Sequence, residues 1–477
     1  MQSYDVRITH ITIRNFKNVI YGNINLSDKI KDYRSSILGV YGQNGSGKTA
    51  LIDALELLKY ALCGRMIPSR FADCINVDTA EAELDFGFEL RDKDSILPIS
   101  YRFHLISYRD ELKQNTESAD PSLQEKKVGI IKEILKCPII SEKTMKTGRL
   151  LDSSGTILTP IPKKDLLAGK DKDADIELMV DKKLTYREAR SFLFSGELLT
   201  RIRNHVNGSS GSDKEKTEQV FYLSILESLV NYGNNCLFII NTQSSGAISL
   251  NAQPINFKYR EENMGAIGTI MLPLEKSVLV PQGTLSVINK LFSGMNIVLE
   301  KIIPGLRITV NKLGTEALPN GEKGYRIELM SKKNSKPIPL RNESEGIRKI
   351  VSILQLLIVV YNQSSITVAI DELDSGVFEY LLGELLRIIA EKGKGQLIFT
   401  SHNLRPLETL DKSFIAFTTT NPANRYIRMQ NVKETNNLRD LYYRDIIIGD
   451  QKEELYDHTN NSGIALAFRE AGVKSGT

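Results

Sequence analysis

Ser36-Ile37-Leu38-Gly39-Val40-Tyr41 runs directly into Gly42-Gln43-Asn44-Gly45-Ser46-Gly47-Lys48-Thr49. The first part is an apolar run, the pattern of a central strand buried on both faces of a sheet. Beyond the second part, Leu51, Leu55 and Leu58 recur at helical spacing, which predicts a helix over Thr49–Leu62. The stretch from Gly42 to Thr49 satisfies G-x-x-x-x-G-K-[ST] and lies where the chemistry needs it, between strand and helix. Glycines let backbone N–H groups turn inward around phosphates, and the helix N-terminus adds the positive end of its dipole. Gly42, Gln43, Asn44, Gly45, Ser46, Gly47, Lys48 and Thr49 are therefore the candidate nucleotide-binding residues. Lys48 would neutralise the β- and γ-phosphate oxygens of ATP, and the Thr49 hydroxyl would ligate Mg²⁺.

Such a loop needs an acidic partner on a neighbouring strand. Ile366-Thr367-Val368-Ala369-Ile370-Asp371-Glu372 supplies one: a run suited to a buried strand, ending in two carboxylates. In open α/β sheets ligands bind at the carboxyl ends of strands. Asp371 is expected to hold Mg²⁺ through water, and Glu372 to accept a proton from the attacking water. One strand later, Leu397-Ile398-Phe399-Thr400-Ser401-His402-Asn403 ends in a polar group with a histidine. A lone histidine after a strand is ordinarily structural, but here His402 is placed to bridge the γ-phosphate and the base. Upstream, Asn342-Glu343-Ser344-Glu345-Gly346-Ile347 opens an apolar helix. Serine and glycine there are ordinary capping residues, yet the same geometry makes an anion site.

Strand–helix alternation through the last third (helix 344–361, strand 366–370, helix 377–391, strand 396–400) argues for a parallel sheet covered by helices. Val6–Ile13, Glu83–Leu90 and Ile99–Leu105 alternate apolar and polar residues and read as strands; the last two are expected to belong to one antiparallel sheet. From 107 to 235 the composition turns to lysine, glutamate, serine and aspartate. Helices are predicted there over Thr185–Val206 and Glu215–Tyr232, separated by the soft linker 207–212.

At 477 residues the chain has room for two to four folding units, at roughly 150 residues per domain. Its 41% hydrophobic and 25% charged residues exclude wholesale disorder and a membrane channel. A net charge of +4, from 62 basic and 58 acidic residues, gives no charge-based argument for nucleic acid. Pairs such as Lys126-Lys127, Lys163-Lys164 and Lys182-Lys183 sit among acidic residues, as on solvated faces. Cys63, Cys74, Cys137 and Cys236 are scattered, which fits neither a disulfide framework nor a zinc site. Neither a signal peptide nor a bilayer-spanning segment is read, so a cytoplasmic location without membrane partners is expected.

P-loop, Ser-x-Gly helix start, Asp-Glu strand and histidine strand, in that order, resemble an ABC-type ATPase head. The opening strand Ile11-Thr12-Ile13-Arg14-Asn15-Phe16-Lys17 and the long insertion resemble the RecF, SMC and OLD-like branch. The resemblance covers roughly 1–106 and 282–420, and Q-loop glutamine is not found. It implies an α/β P-loop fold with a parallel core sheet, an antiparallel β-subdomain and an inserted, largely helical domain. The divisions expected are 1–106 and 236–430 for the halves of the head, 107–235 for a partner-docking insertion, and 431–477 for a tail. Ser344 and Gly346 stand where that family has its signature, and Asp374 lies in the D-loop position. In such heads two copies sandwich ATP, so a homodimer or higher homo-oligomer is implied, with Ser344, Gly346 and Asp374 serving the composite site. The texture of Leu340–Ile350, of 371–376 and of 465–472 is similar to stand-alone ATPase subunits of phage-defence systems, the PARIS type first and the Septu type next. That implies a separate effector, a nuclease or toxin. The alternative is a RecF-like repair ATPase that binds DNA itself; a transporter ATPase is disfavoured because transport heads are shorter and lack the insertion.

Overall fold

The computed structural model describes residues 4–26, 36–92, 95–109, 126–140, 145–154, 172–208, 212–261, 264–333, 336–429, 437–448 and 451–475. Two six-stranded sheets carry the core. The first is antiparallel, in the order Val19–Asn25, Asp5–Phe16, Glu81–Arg91, Ile96–Arg109, Lys126–Ile140, Met145–Asp152. The second runs Tyr426–Ile427, Ile415–Thr418, Ser36–Tyr41, Gln396–Thr400, Thr367–Ile370, Leu237–Ile240. All neighbours in it are parallel except the pair at the Tyr426 edge.

The fold class is the one the motifs predict: an α/β P-loop fold with a parallel sheet flanked by helices and an antiparallel subdomain. The apolar runs explain the division. Leu38, Val40, Val368, Ala369, Leu397, Ile398 and Phe399 are wholly enclosed, as strands covered on both faces must be. The helix Lys48–Leu62 packs on this sheet and against the helix Asp213–Asn235, and a single hydrophobic cluster runs through both sheets.

Two buried polar side chains fix one sheet on the other. Arg7 reaches from the antiparallel sheet to the carbonyls of Ser364 (2.9 Å) and Lys394 (2.7 Å) and to Ser36 Oγ (2.9 Å). Gln396, at the start of the histidine strand, accepts from Ile8 N and donates to Ile8 O, each at 2.8 Å. Among the described residues neither side chain has a buried polar atom without a hydrogen-bond partner, as burial requires.

The segment 107–235 departs from expectation in two places. Its first half adds the strands Lys126–Ile140 and Met145–Asp152 to the antiparallel sheet, so it is not helical throughout. The helix expected over Thr185–Val206 is broken into Lys172–Arg187 and Gly196–Gly208. The cause is Glu133, buried on the strand beneath. Its carboxylate accepts from Phe192 N (2.8 Å), Leu193 N (3.3 Å), Tyr101 Oη (2.6 Å) and Ser191 Oγ, which draws 191–193 out of helical pairing. Ala189, at φ 53°, makes the turn. Half of the predicted linker, 209–211, and the Lys163-Lys164 pair lie outside the described residues. All four cysteines are free. Among the described residues no helix is long and apolar enough to cross a membrane.

Candidate ATP cleft

The buried strand Ser36–Tyr41 stops at the loop, and the helix Lys48–Leu62 starts from Gly47. Gly47 sits at φ 98°, a left-handed conformation that favours glycine. No side chain caps this helix and no acid occupies its first turn, which leaves its N-terminal N–H groups for an anion. Lys48 is buried and donates from Nζ to the loop's own carbonyls, Gly42 O at 2.8 Å and Gln43 O at 2.9 Å. Desolvation lowers its pKa, an effect opposed by Asp371, Glu372 and Asp374.

The loop is buttressed from behind. Ser46 Oγ meets Thr418 Oγ1, Tyr426 Oη donates to Gly47 O at 2.8 Å, and Gln43 Oε1 accepts from Asp457 N at 3.0 Å. Asn44, Gly45, Gly47, Lys48 and Thr49 therefore line the cleft, while Gly42, Gln43 and Ser46 frame the loop from its inner side.

The acid strand Thr367–Ile370 does not neighbour the P-loop strand, contrary to expectation. The histidine strand Gln396–Thr400 lies between them and pairs in parallel with both. Asp371 still lines the cleft, beside Thr400 at the end of the intervening strand. Asp371 is 1% exposed; its Oδ1 accepts from Thr400 Oγ1 at 2.6 Å, and its Oδ2 has no hydrogen-bond partner among the described residues. A buried, orphaned carboxylate oxygen in the same cleft as the exposed Thr49 suits an oxygen-seeking divalent cation such as Mg²⁺. Glu372 is exposed to the cleft and holds φ 50°, an uncommon conformation for a residue with a Cβ.

His402 also lines the cleft, but Asp374 does not. The Asp374 carboxylate instead accepts from the backbone N–H groups of His402 (3.0 Å) and Asn403 (2.9 Å), so within this chain it positions the histidine loop. Desolvation, followed by the charge of Lys48, lowers the pKa of His402 below its ordinary 6.5. A depressed pKa keeps the imidazole neutral to more acidic pH, so any histidine-dependent part of kcat/KM should fall, as pH drops, with a midpoint below 6.5. The ratio of wild-type to His402→Ala activity across pH measures it; a midpoint above 6.5 would contradict the assignment.

Ser344 and Gly346 lie outside the cleft, at the start of the helix Glu345–Asn362. Ser344 is exposed and caps the helix by accepting from Ile347 N at 3.3 Å. Gly346 is held against the turn after the acids: a Cβ there would fall 2.0 Å from Gly376 O.

Three polar cleft residues escape the motif reading. Lys17 and Asn18 arrive from the turn between the first two strands, where Lys17 pairs with Asp53 and Asn18 Nδ2 donates to Gly45 O. Thr400 is the third. The whole cleft measures about 410 Å³.

A family model described as "AAA ATPase domain" matches residues 7–405. The chain belongs to the AAA ATPase domain family. Solved structures with a similar course of chain include the SMC head domain from Thermotoga maritima, at 13% identity and a TM-score of 0.35, covering 89% of this chain and 99% of that one. Another is the Smc head domain with an extended coiled coil, bound to the C-terminal domain of ScpA, derived from Pyrococcus furiosus (11% identity, TM-score 0.37, covering 89% and 96%). A third is an Smc head bound to the C-winged helix domain of ScpA (11%, 0.38, 88% and 97%). Comparison with curated proteins gives no match. Family membership and the P-loop fold make this chain an ATPase.

Proposed function

We propose that the chain hydrolyses ATP at this cleft, and that ATP pairs two copies of it as a conformational switch for a separate effector. The observation that supports the reading is that the helix start at Ser344–Gly346 lies apart from the cleft. The cleft gathers Lys48, Thr49, Asp371, Glu372 and His402, whereas the capped, solvent-facing helix start at Ser344–Gly346 lies outside it. A second copy would bring that helix start to the γ-phosphate.

In the hydrolytic step, Lys48 and the N-terminal N–H groups of its helix hold the phosphate oxygens. Thr49 and Asp371 would hold Mg²⁺, which when bound supplies neutralising charge to the phosphates. Glu372 takes a proton from water as the water oxygen bonds to the γ-phosphorus and the bond to the β–γ bridging oxygen breaks, leaving ADP and phosphate. His402, kept neutral, sits beside this step and is fixed by Asp374. The product that matters is the opened or closed pair.

An antiviral role, of the PARIS or Septu type, is the setting that best suits a head with a short insertion. In it the insertion docks a nuclease or toxin in the cytoplasm.

A complementation experiment tests the pairing. Ser344→Arg places a bulky cation at the helix start and leaves the P-loop of its own chain intact. Alone it should bind ATP and fail to turn over. Mixed with Lys48→Ala, it should regain part of the activity, since one composite site then joins an intact loop to an intact helix start. No recovery at any ratio would sink the pairing.

A further inference from the structure

We propose that Thr400 is a positioning residue that sets both acids of the cleft through one hydroxyl group. This rests on the hydrolytic reading above and adds to it a residue that no motif marks. Thr400 ends the histidine strand, in register with Val40 of the P-loop strand, and is wholly buried where it lines the cleft. Its Oγ1 donates to Asp371 Oδ1 at 2.6 Å and accepts from Glu372 N at 2.8 Å. Its carbonyl accepts from Leu373 N at 3.0 Å. Thus the end of this strand is joined to the turn that carries both acids.

The directions of these bonds follow from the donor inventory. An ionised carboxylate only accepts and an amide N–H only donates, so the hydroxyl proton must go to Asp371 and a lone pair must face Glu372. Two consequences follow. With Oδ1 held, the Asp371 carboxylate cannot rotate freely, and Oδ2, which has no partner among the described residues, keeps a fixed direction for a cation. The N–H of Glu372 is anchored while that residue holds φ 50°, a conformation that persists only when its surroundings impose it. One side chain therefore fixes the rotation of the metal-binding acid and the backbone of the proton acceptor. Simple packing cannot account for this, because a buried valine would fill the same space in a strand without linking the two acids.

Thr400→Val and Thr400→Ser separate the two roles. Valine keeps shape and β-branching but removes the hydroxyl; serine keeps the hydroxyl and loses the methyl group. Three quantities are read: kcat and KM for ATP, binding of a fluorescent ATP analogue in EDTA, and Mn²⁺ affinity of the ADP complex by electron paramagnetic resonance. Thr400→Val should bind the analogue within about threefold of wild type, lower kcat by about 10- to 100-fold and weaken Mn²⁺ by about tenfold, the scale of a lost hydrogen bond to a charged group. Thr400→Ser should recover all three to within a few-fold.

Unchanged kcat and Mn²⁺ affinity in Thr400→Val overturns the proposal. So does a serine variant as impaired as valine, or a valine variant that loses metal-free nucleotide binding, since both describe a packing role. Glu372→Gln runs alongside. If it is slow while Thr400→Val is normal, only the role of Thr400 fails. If Glu372→Gln turns over like wild type, the hydrolytic reading fails and this proposal falls with it.

Discussion

A Lys48→Ala chain should lose ATP binding, with affinity falling at least about 10²-fold, the scale expected when a charge-assisted contact to phosphate is removed from an enclosed site. The surroundings make the effect large. Asp371 and Glu372 face the same cleft, so a triphosphate entering without Lys48 would meet carboxylates. Lys17 is the other lysine lining the cleft, and it is already paired with Asp53, which also lies 4.0 Å from Arg70. The ammonium of Lys48 rests meanwhile on two loop carbonyls, ready to exchange them for phosphate oxygens. Nucleotide-induced thermal stabilisation gives the measurement, because a ligand bound only by the folded state raises its melting temperature. The variant should melt near wild type without ATP and show no shift with it. A normal shift would remove the loop from the binding site.

The parts of this cleft that could be read from the sequence are those whose chemistry is contiguous. Strand, glycine loop and helix follow one another between Ser36 and Leu62, and hydrophobic run, Asp371 and Glu372 lie within a few residues. Each such stretch carries its own physical constraint, and the structure brings them to one pocket. What could not be read depends on chain pairing. Nothing in either stretch indicates that Gln396–Thr400 lies between the two strands, and so nothing marks Thr400. Lys17 and Asn18 lie far upstream of their partners, Asp53 on the helix and Gly45 in the loop, in a turn where Lys17 takes φ 52°. The fold shows the same division. The helix over Thr185–Val206 has acceptable local periodicity, yet a buried carboxylate from Glu133, far earlier in the chain, overrides it. The strand Lys126–Ile140 was hidden because composition averaged over a polar segment masks the local run Val128, Ile130, Ile134, Leu135. Asp374 marks a third limit. Its position after the acids is legible, but its hydrogen bonds to His402 N and Asn403 N are not.

Glu372→Gln should bind ATP as tightly as wild type and turn over at least about 10²-fold more slowly, the scale of a lost general base. The substitution keeps the size of the side chain and leaves the backbone N–H on Thr400, so neither the left-handed turn nor the seat of Asp371 is disturbed. Only the capacity to take a proton is removed. Because the side chain is exposed, folding stability should hardly change, which separates this variant from any that acts by loosening the site. Pre-steady-state measurement should then find ATP, not ADP, as the nucleotide retained on the protein. Retained ADP would mean that product release has become slow and that bond cleavage never depended on Glu372. Turnover at the wild-type rate would move the base elsewhere in the cleft. Asp371 is poorly suited, since one of its oxygens is committed to Thr400 and the other is enclosed. His402 is the stronger candidate, for its ring is neutral near pH 7 and faces the same space. That leaves the two possibilities distinguishable by one further variant: His402→Ala in the glutamine background should add little if Glu372 is the base, and should abolish the remaining turnover if the histidine is.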